Sequence, residues 1–373
     1  MSSGRRDGPR ARLLAVLVML LALVAAACGA GEEAAEDAEP TAAEEGEATA
    51  EDEVPAELEE ISVLFPINTP ILHGFRVAQE AGYYAEEGLA PSFDFLDGGG
   101  EVVTQLVAGN ADLGLIPVGN VVEAITEGNT DLRAIWNEIY GSIFSIAVPS
   151  DSDIHTAEDL AGRSVGISSR SGGEMPIVRG IIQSAGLTEQ QVSLTPVGEG
   201  TALAVRALQE GQVDAFGGSV NDIIALQVQG LDFRYILPEA LLELPASGIV
   251  ASQETLDERQ DAIEGFLRAS TKGFYWAQVN PDATLAVLME ATPEHFAEET
   301  GELIFDAVQP LTWAPEGTPM GFQSADTWRA FFDFVGAEQP DIPLEDIVVQ
   351  DFIEPANDYD QDAVAEDANS YAP

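Results

Sequence analysis

Cysteine is almost missing from this chain. Cys28 is the only one in 373 residues, which excludes an intramolecular disulfide. Positive charge is scarce as well: 15 Lys and Arg stand against 65 Asp and Glu, for a formal charge of -50. A surface of that sign repels phosphate backbones and anionic headgroups, so nucleic-acid partners and basic-patch functions are excluded. Histidine occurs only at 73, 155 and 295, too scattered for metal-ligand spacing, and neither a metal nor a cofactor is expected. No Ser/His/Asp arrangement is identifiable. Beyond residue 27 no segment is apolar enough, for long enough, to cross a membrane.

What is present begins at the N-terminus. Arg5, Arg6, Arg10 and Arg12 precede an apolar run from Leu13 to Ala27 that ends in three alanines, the layout of an export signal over residues 1–27. Ala25-Ala26-Ala27-Cys28, followed by Gly29, resembles a bacterial lipoprotein box, with Ala25 where leucine is usual. The resemblance implies a lipid on Cys28 and an anchor on the extracytoplasmic face of a bacterial cell membrane. An ordinary signal peptide with an incidental cysteine is the alternative. Residues 28–60 are acidic, with no Lys or Arg, and cannot bury a core; they are expected to form a disordered, self-repelling tether.

From Ile61 onward strand-like and helix-like patterns alternate. Ile61, Val63 and Phe65 predict a strand that stops at Pro66, and Gly74–Glu87 has helical spacing closed by Gly88. Phe93 and Phe95 predict a second strand before Gly98-Gly99-Gly100. Continued alternation predicts an α/β fold of two βα lobes joined by two crossing strands, with a helical C-terminal section. Lobe 1 is expected to span 61–148 plus 249–355, including a long helix over Leu256–Asn280, and lobe 2 to span 149–248. The acidic tail 356–373 reads as frayed. Ligands of open α/β sheets sit outside the carboxyl ends of the strands, so the cleft between the lobes is the expected site. Two crossing strands also suit hinge closure.

Several motifs occur in a telling order: "GFRVAQEAGYYAEEGL", "GGGEVVTQLVAGNADLGLIPVGN", "TAEDLAGRSVGI", "ALQEGQVDAFGG" and "FLRASTKGFYWAQVNPDAT". Together they resemble the substrate-binding proteins of ABC importers, in the nitrate/sulfonate/taurine and thiamine-pyrimidine-precursor group. The resemblance covers roughly Ile61 to Leu288. It implies a bilobed type II periplasmic-binding-protein fold and a small-molecule ligand, either a sulfonate- or nitrate-type anion or a pyrimidine-like heterocycle. It also implies an ABC permease as partner and a monomeric binder. The same resemblance includes a pyrimidine-synthesising enzyme group, for which His73 and Lys272 are the residues to examine. A surface sensory binding protein is a third reading.

The candidate contacts lie mostly on loops after strands. Asn68 and Thr69 follow the first strand, and Gly99 lies in the glycine turn after the second. Gly119 and Asn120 stand at a helix N-terminus, where unpaired N–H groups favour an anion or a carbonyl oxygen. Ser169, Arg170 and Ser171 occupy the matching loop of the second lobe, and Arg170 offers a planar fork for a sulfonate, phosphate or carboxylate. Ser219, Asn221 and Asp222 form a third strand-to-helix turn, where a plain helix cap is the alternative. Trp136, Tyr140 and Phe144 offer a stacking wall for a flat ring, or belong to the core. Glu138 and Asp222 suit a ring amine or an ammonium group. Arg170 points to an anion and the acids point to a neutral or cationic ring, so the residues alone leave the ligand's charge open.

Overall fold

The structure, a computed structural model, describes residues 58–371 apart from 199, 201 and 297–299. The expected signal peptide, Cys28 and the tether up to residue 57 lie outside the described residues. The chain first lays down β1 (Glu59–Phe65), β2 (Leu89–Phe95), β3 (Leu113–Pro117) and β4 (Leu132–Tyr140). It continues through β5 (Phe144–Pro149), β6 (Ser164–Ile167), β7 (Ser193–Pro196), β8 (Ala215–Ser219) and β9 (Phe233–Ile236), and returns with β10 (Pro245–Ser252). One sheet has the order β2-β1-β3-β10-β4 and the other β7-β6-β8-β5-β9. In each sheet the strand that arrives from the other half, β10 or β5, runs antiparallel to both neighbours. The α/β, two-lobed architecture expected from the alternation is therefore present.

The central strands are apolar along their length because helices cover both faces. All five residues of β3 are buried. On one side of the first sheet, Ile61, Val63 and Phe65 pack with Phe266 and Phe274 of the helix Gln260–Val279. On the other, Val102, Ile116 and Val121 share a core with Ile146, Val165 and Ile181 of the second lobe. A repeated device pins the two sheets. Asp112 accepts from the Ser62 backbone N–H and hydroxyl, both at 2.7 Å, and Asp214 accepts from the same groups of Ser164, both at 2.8 Å. Asp112 also pairs with Arg259 at 2.6 Å. Burial pushes the Asp112 carboxyl up, but the Arg259 and Ser62 contacts together outweigh it and hold the group below the ordinary range. Asp112→Ala is expected to cost about 2–3 kcal/mol, because three donors lose their acceptor. A midpoint of chemical unfolding equal to that of the wild type would contradict this.

Four expectations need correction. Glu59 and Glu60 are not tether: they begin β1, opposite Leu89 and Ala90, and Arg259 pairs with Glu59 at 2.6 Å. The long helix breaks at Arg259, which turns to reach Glu59 and Asp112, so Gln253–Glu258 and Gln260–Val279 are separate helices. The lobe crossings come earlier than residues 148 and 249, because β5 already belongs to the second sheet and β10 to the first. The connecting segments are 141–143 and 237–244. The C-terminal tail is not frayed. Gln361–Ser370 is a helix capped by Asp360, and it buries Val364 and Ala368 on the helix Gln260–Val279. Asp367 accepts from the Tyr83 hydroxyl at 2.6 Å and from the Trp276 indole N–H at 3.1 Å. A short apolar pair four residues apart among acids was enough, because the acids all face water or find donors.

Candidate functional site

The carboxyl ends of β1, β3, β6 and β8 face a narrow cleft between the two sheets. From the first lobe come the segment after β1, with Thr69, Ile71 and Leu72, then Gly99 and Pro117. From the second come Ser168, Gly173, Glu174, Ser219, Asn221 and Asp222. The floor is built by Glu138 and Ile139 of β4, Ile143 and Phe144 at the first crossing, and Ser247 of β10. Glycine is required at two walls. A Cβ on Gly173 would fall 2.8 Å from the Phe144 ring and 2.9 Å from Pro117, and one on Gly99 would collide with Asn120. The lobes also meet beside the cleft, where Arg179 pairs with Glu123 at 3.0 Å.

The electrostatics of this cleft are one-sided. Among the described residues its lining holds three carboxyl groups, Glu138, Glu174 and Asp222, and no Lys, Arg or His. Glu174 folds back at the start of its helix, and its Oε1 accepts from the Ser168 backbone N–H at 3.0 Å and from Ser169 N–H at 3.3 Å. The Ser168 hydroxyl donates to the same oxygen. Asp222 does the equivalent in the next turn, accepting from Ser219 N–H at 2.9 Å and from its hydroxyl at 2.6 Å. Burial pushes both carboxyl groups up, against these hydrogen bonds. The backbone N–H groups of Ser168, Ser169 and Ser219 and the hydroxyls of Ser168 and Ser219 are therefore already taken by the chain's own carboxylates. Glu138 has no such partners. Burial pushes it up to about 8, with the nearby Ser247 hydroxyl opposing less. Neither of its oxygens accepts a well-formed hydrogen bond among the described residues.

Of the residues expected from the sequence, Thr69, Gly99, Glu138, Phe144, Ser219, Asn221 and Asp222 line the cleft. The others are placed elsewhere. Asn68 turns outward to accept from Arg76 at 3.0 Å. Gly119 packs against Pro176, and Asn120 is buried beneath Gly99. Trp136 is fully buried among Phe75 and Phe274, so it is core rather than a stacking wall. The Tyr140 hydroxyl accepts from Gly321 N–H at 2.9 Å, and burial pushes its pKa up to about 12. Ser169 and Ser171 sit at the rim with hydroxyls 3.4 Å apart. Arg170 is exposed, with its guanidinium 3.5 Å from the Leu194 carbonyl, and takes no part in the lining. Only Phe144 of the three aromatics reaches the cleft. Glu174 was missed, although an acid at the first position of a helix after Gly172-Gly173 is a legible capping signal.

His73 and Lys272 do not come together in the cleft. His73 is fully buried between Phe274 and Phe305, with desolvation lowering its pKa to about 4. Lys272 pairs with Glu86 at 3.1 Å and Glu87 at 3.4 Å in a surface groove beside Tyr83.

Residues 69–284 match the NMT1/THI5 like family, more than half of the chain, and the protein belongs to that family. A formylaminopyrimidine-binding protein of Halalkalibacterium halodurans is 25% identical over 299 residues, 76% of this chain and 88% of the relative. A riboflavin-binding protein of Chloroflexus aurantiacus is 25% identical over 288 residues, 74% of this chain and 78% of the relative. Among solved structures, the alkanesulfonate-binding protein of Xanthomonas axonopodis has the same fold, with a TM-score of 0.61 at 16% identity over 79% of this chain and 99% of that one. The fold is thus that of the periplasmic binding proteins, and the chain's relatives bind small molecules. No helix among the described residues is long and apolar enough to cross a membrane.

Proposed function

We propose that this member of the NMT1/THI5 like family captures a small nitrogen heterocycle outside the cytoplasm and delivers it to an ABC permease. The observation that carries the choice of ligand is the carboxylate filling of both second-lobe turns. Glu174 and Asp222 accept the Ser168, Ser169 and Ser219 N–H groups that would otherwise be open to a sulfonate or nitrate, and among the described residues no cation lines the cleft to offset a ligand's negative charge. A ring bearing N–H donors meets these acids favourably, while Phe144, Ile139 and Leu72 supply apolar contact for its faces. The named ligands of the two curated relatives, a pyrimidine and a flavin, are rings of this kind.

We read the protein as a monomeric binder rather than a catalyst, since His73 and Lys272 are engaged outside the cleft lining. The lobes, 58–140 with 245–371 and 144–236, move about the two connecting segments. A lipid on Cys28 holds the body beside its permease and raises its local concentration there. Contacts to both lobes stabilise the closed form only by differential affinity. Small-angle scattering is expected to show compaction when formylaminopyrimidine or riboflavin saturates the protein. Unchanged dimensions at saturation would contradict hinge capture.

A further inference from the structure

Strand β4 carries an extra residue where it meets the cleft. Gly248 of β10 pairs with Asn137, and Ser247 pairs with Ile139, so Glu138 between them has no opposite number. A bulge of this kind bends the strand and re-aims a side chain. Here it places Glu138 in the cleft floor, beside Ile139 and Ser247. Glu138 is 1% exposed, and both carboxyl oxygens are buried without a hydrogen-bond partner among the described residues. This is an unpaired polar group in the lining of the cleft between the lobes.

The groups around it offer no compensating charge. The other titratable side chains of the lining are Glu174 and Asp222, both acids. Behind the wall, His73 is buried with its pKa lowered to about 4, and next but one along β4 the Tyr140 hydroxyl is pushed up to about 12, so both are neutral near pH 7. A buried carboxylate without a cation or a set of donors is costly, and the acid form is favoured.

We propose that Glu138 works as an un-ionised carboxylic acid that reads one edge of the ligand: its O–H donates to an acceptor on the ring while its C=O accepts from the neighbouring N–H. This rests on the heterocycle reading of the cleft and names what selects within it. An aminopyrimidine presents a ring nitrogen beside an amino group, and a flavin presents a carbonyl beside a ring N–H. Either edge matches the donor and acceptor of a carboxylic acid. Sulfonate and nitrate present acceptors only, and leave the carboxyl C=O unpaired. Ionisation of Glu138 removes its donor and sets two acceptors against the ligand's acceptor, so affinity falls as pH rises through its titration.

The test is calorimetric titration of the wild type and of Glu138→Gln with formylaminopyrimidine and with riboflavin, from about pH 7 to about pH 9.5. In the wild type the affinity is expected to fall, approaching roughly ten-fold per pH unit above the titration point. In Glu138→Gln the affinity, at whatever level, no longer varies with pH. Wild-type binding that is independent of pH, or that strengthens as pH rises, overturns the proposal. The protonation of Glu138 is followed separately, in protein without added ligand, by isotope-edited infrared difference spectra of wild type against Glu138→Gln. A carboxylic-acid signal at neutral pH supports the proposal. Full ionisation at neutral pH, with the heterocycles still bound, overturns the inference alone. Binding of an alkanesulfonate in place of both heterocycles overturns the heterocycle reading, and with it the role of Glu138 in selecting the ligand.

Discussion

Removal of residues 357–373 is expected to lower stability by on the order of 5 kcal/mol, although this acidic segment looks dispensable by composition. The helix Gln361–Ser370 buries Val364 and Ala368, and its departure uncovers the ring of Trp276 and part of Tyr83. It also strips the Tyr83 hydroxyl and the Trp276 N–H of their shared acceptor, Asp367, and leaves the Asn280 side chain without the Ala368 carbonyl at 2.8 Å. Tyr83 and Trp276 belong to the core that packs on one side of the first sheet, so the loss reaches that core directly. Chemical unfolding of the shortened protein, beside the full chain in the same buffer, measures it. A shortened protein that unfolds at the same denaturant concentration would mean that the helix is only laid on the surface.

Glu138→Gln is expected to stabilise the protein at alkaline pH, an unusual direction for a substitution in a binding cleft. The sign follows from linkage. The folded-state pKa of Glu138 is raised from 4.5 to about 8, so folding takes up a proton between those values. The stability tied to that proton is fully present below the unfolded pKa and is lost as pH rises through about 8. Wild-type stability should therefore decline between about pH 5 and about pH 9, and that of Glu138→Gln should decline less. At the upper end the gap is on the order of a few kcal/mol, or roughly 5–10 °C in melting temperature. Parallel pH profiles for the two proteins would show that Glu138 finds a partner or water in solution and ionises normally.

The position of Glu138 also illustrates what a sequence conceals. Period-two alternation along β4 puts Trp136 and Tyr140 on the same face as Glu138, and reading the two rings with Phe144 as a stacking wall is a natural step. The bulge opposite Ser247 and Gly248 breaks that equivalence, so Trp136 turns into the core while Glu138 meets the cleft. Bulges depend on cross-strand register, which no single strand encodes. The strand-to-helix turns were more legible. Thr69, Gly99, Ser219, Asn221 and Asp222 were found because parallel α/β sheets put such turns at their carboxyl ends. What those turns would bind was not legible, because the answer lay in which oxygen fills them. Ser168, Ser169 and Ser219 suggest an anion site until Glu174 and Asp222 are seen to complete it from within. Arg170 was misleading for the simpler reason that Ser168 and Gly172, two residues to either side, line the cleft and it does not.

The crossings show a similar limit. Residues 143–148 and 248–251 read as strands from their apolar runs, and the structure has strands over Phe144–Pro149 and Pro245–Ser252, but a strand's own residues do not say which sheet it joins. The repeated Ser–Asp clamp, with partners 50 residues apart in each lobe, is the feature that could have indicated two equivalent units. Sheet membership puts the first crossing between β4 and β5 and the return between β9 and β10.

The central claim is that the cleft accepts a donor-bearing nitrogen ring and rejects oxyanions because its own carboxylates fill the oxyanion positions. It is tested most directly by calorimetry near neutral pH on one preparation of the protein, with formylaminopyrimidine, riboflavin and an alkanesulfonate as separate titrants. The prediction is saturable one-to-one binding of at least one of the two rings and no heat of binding from the sulfonate. Saturable binding of the sulfonate, with neither ring bound, would contradict it.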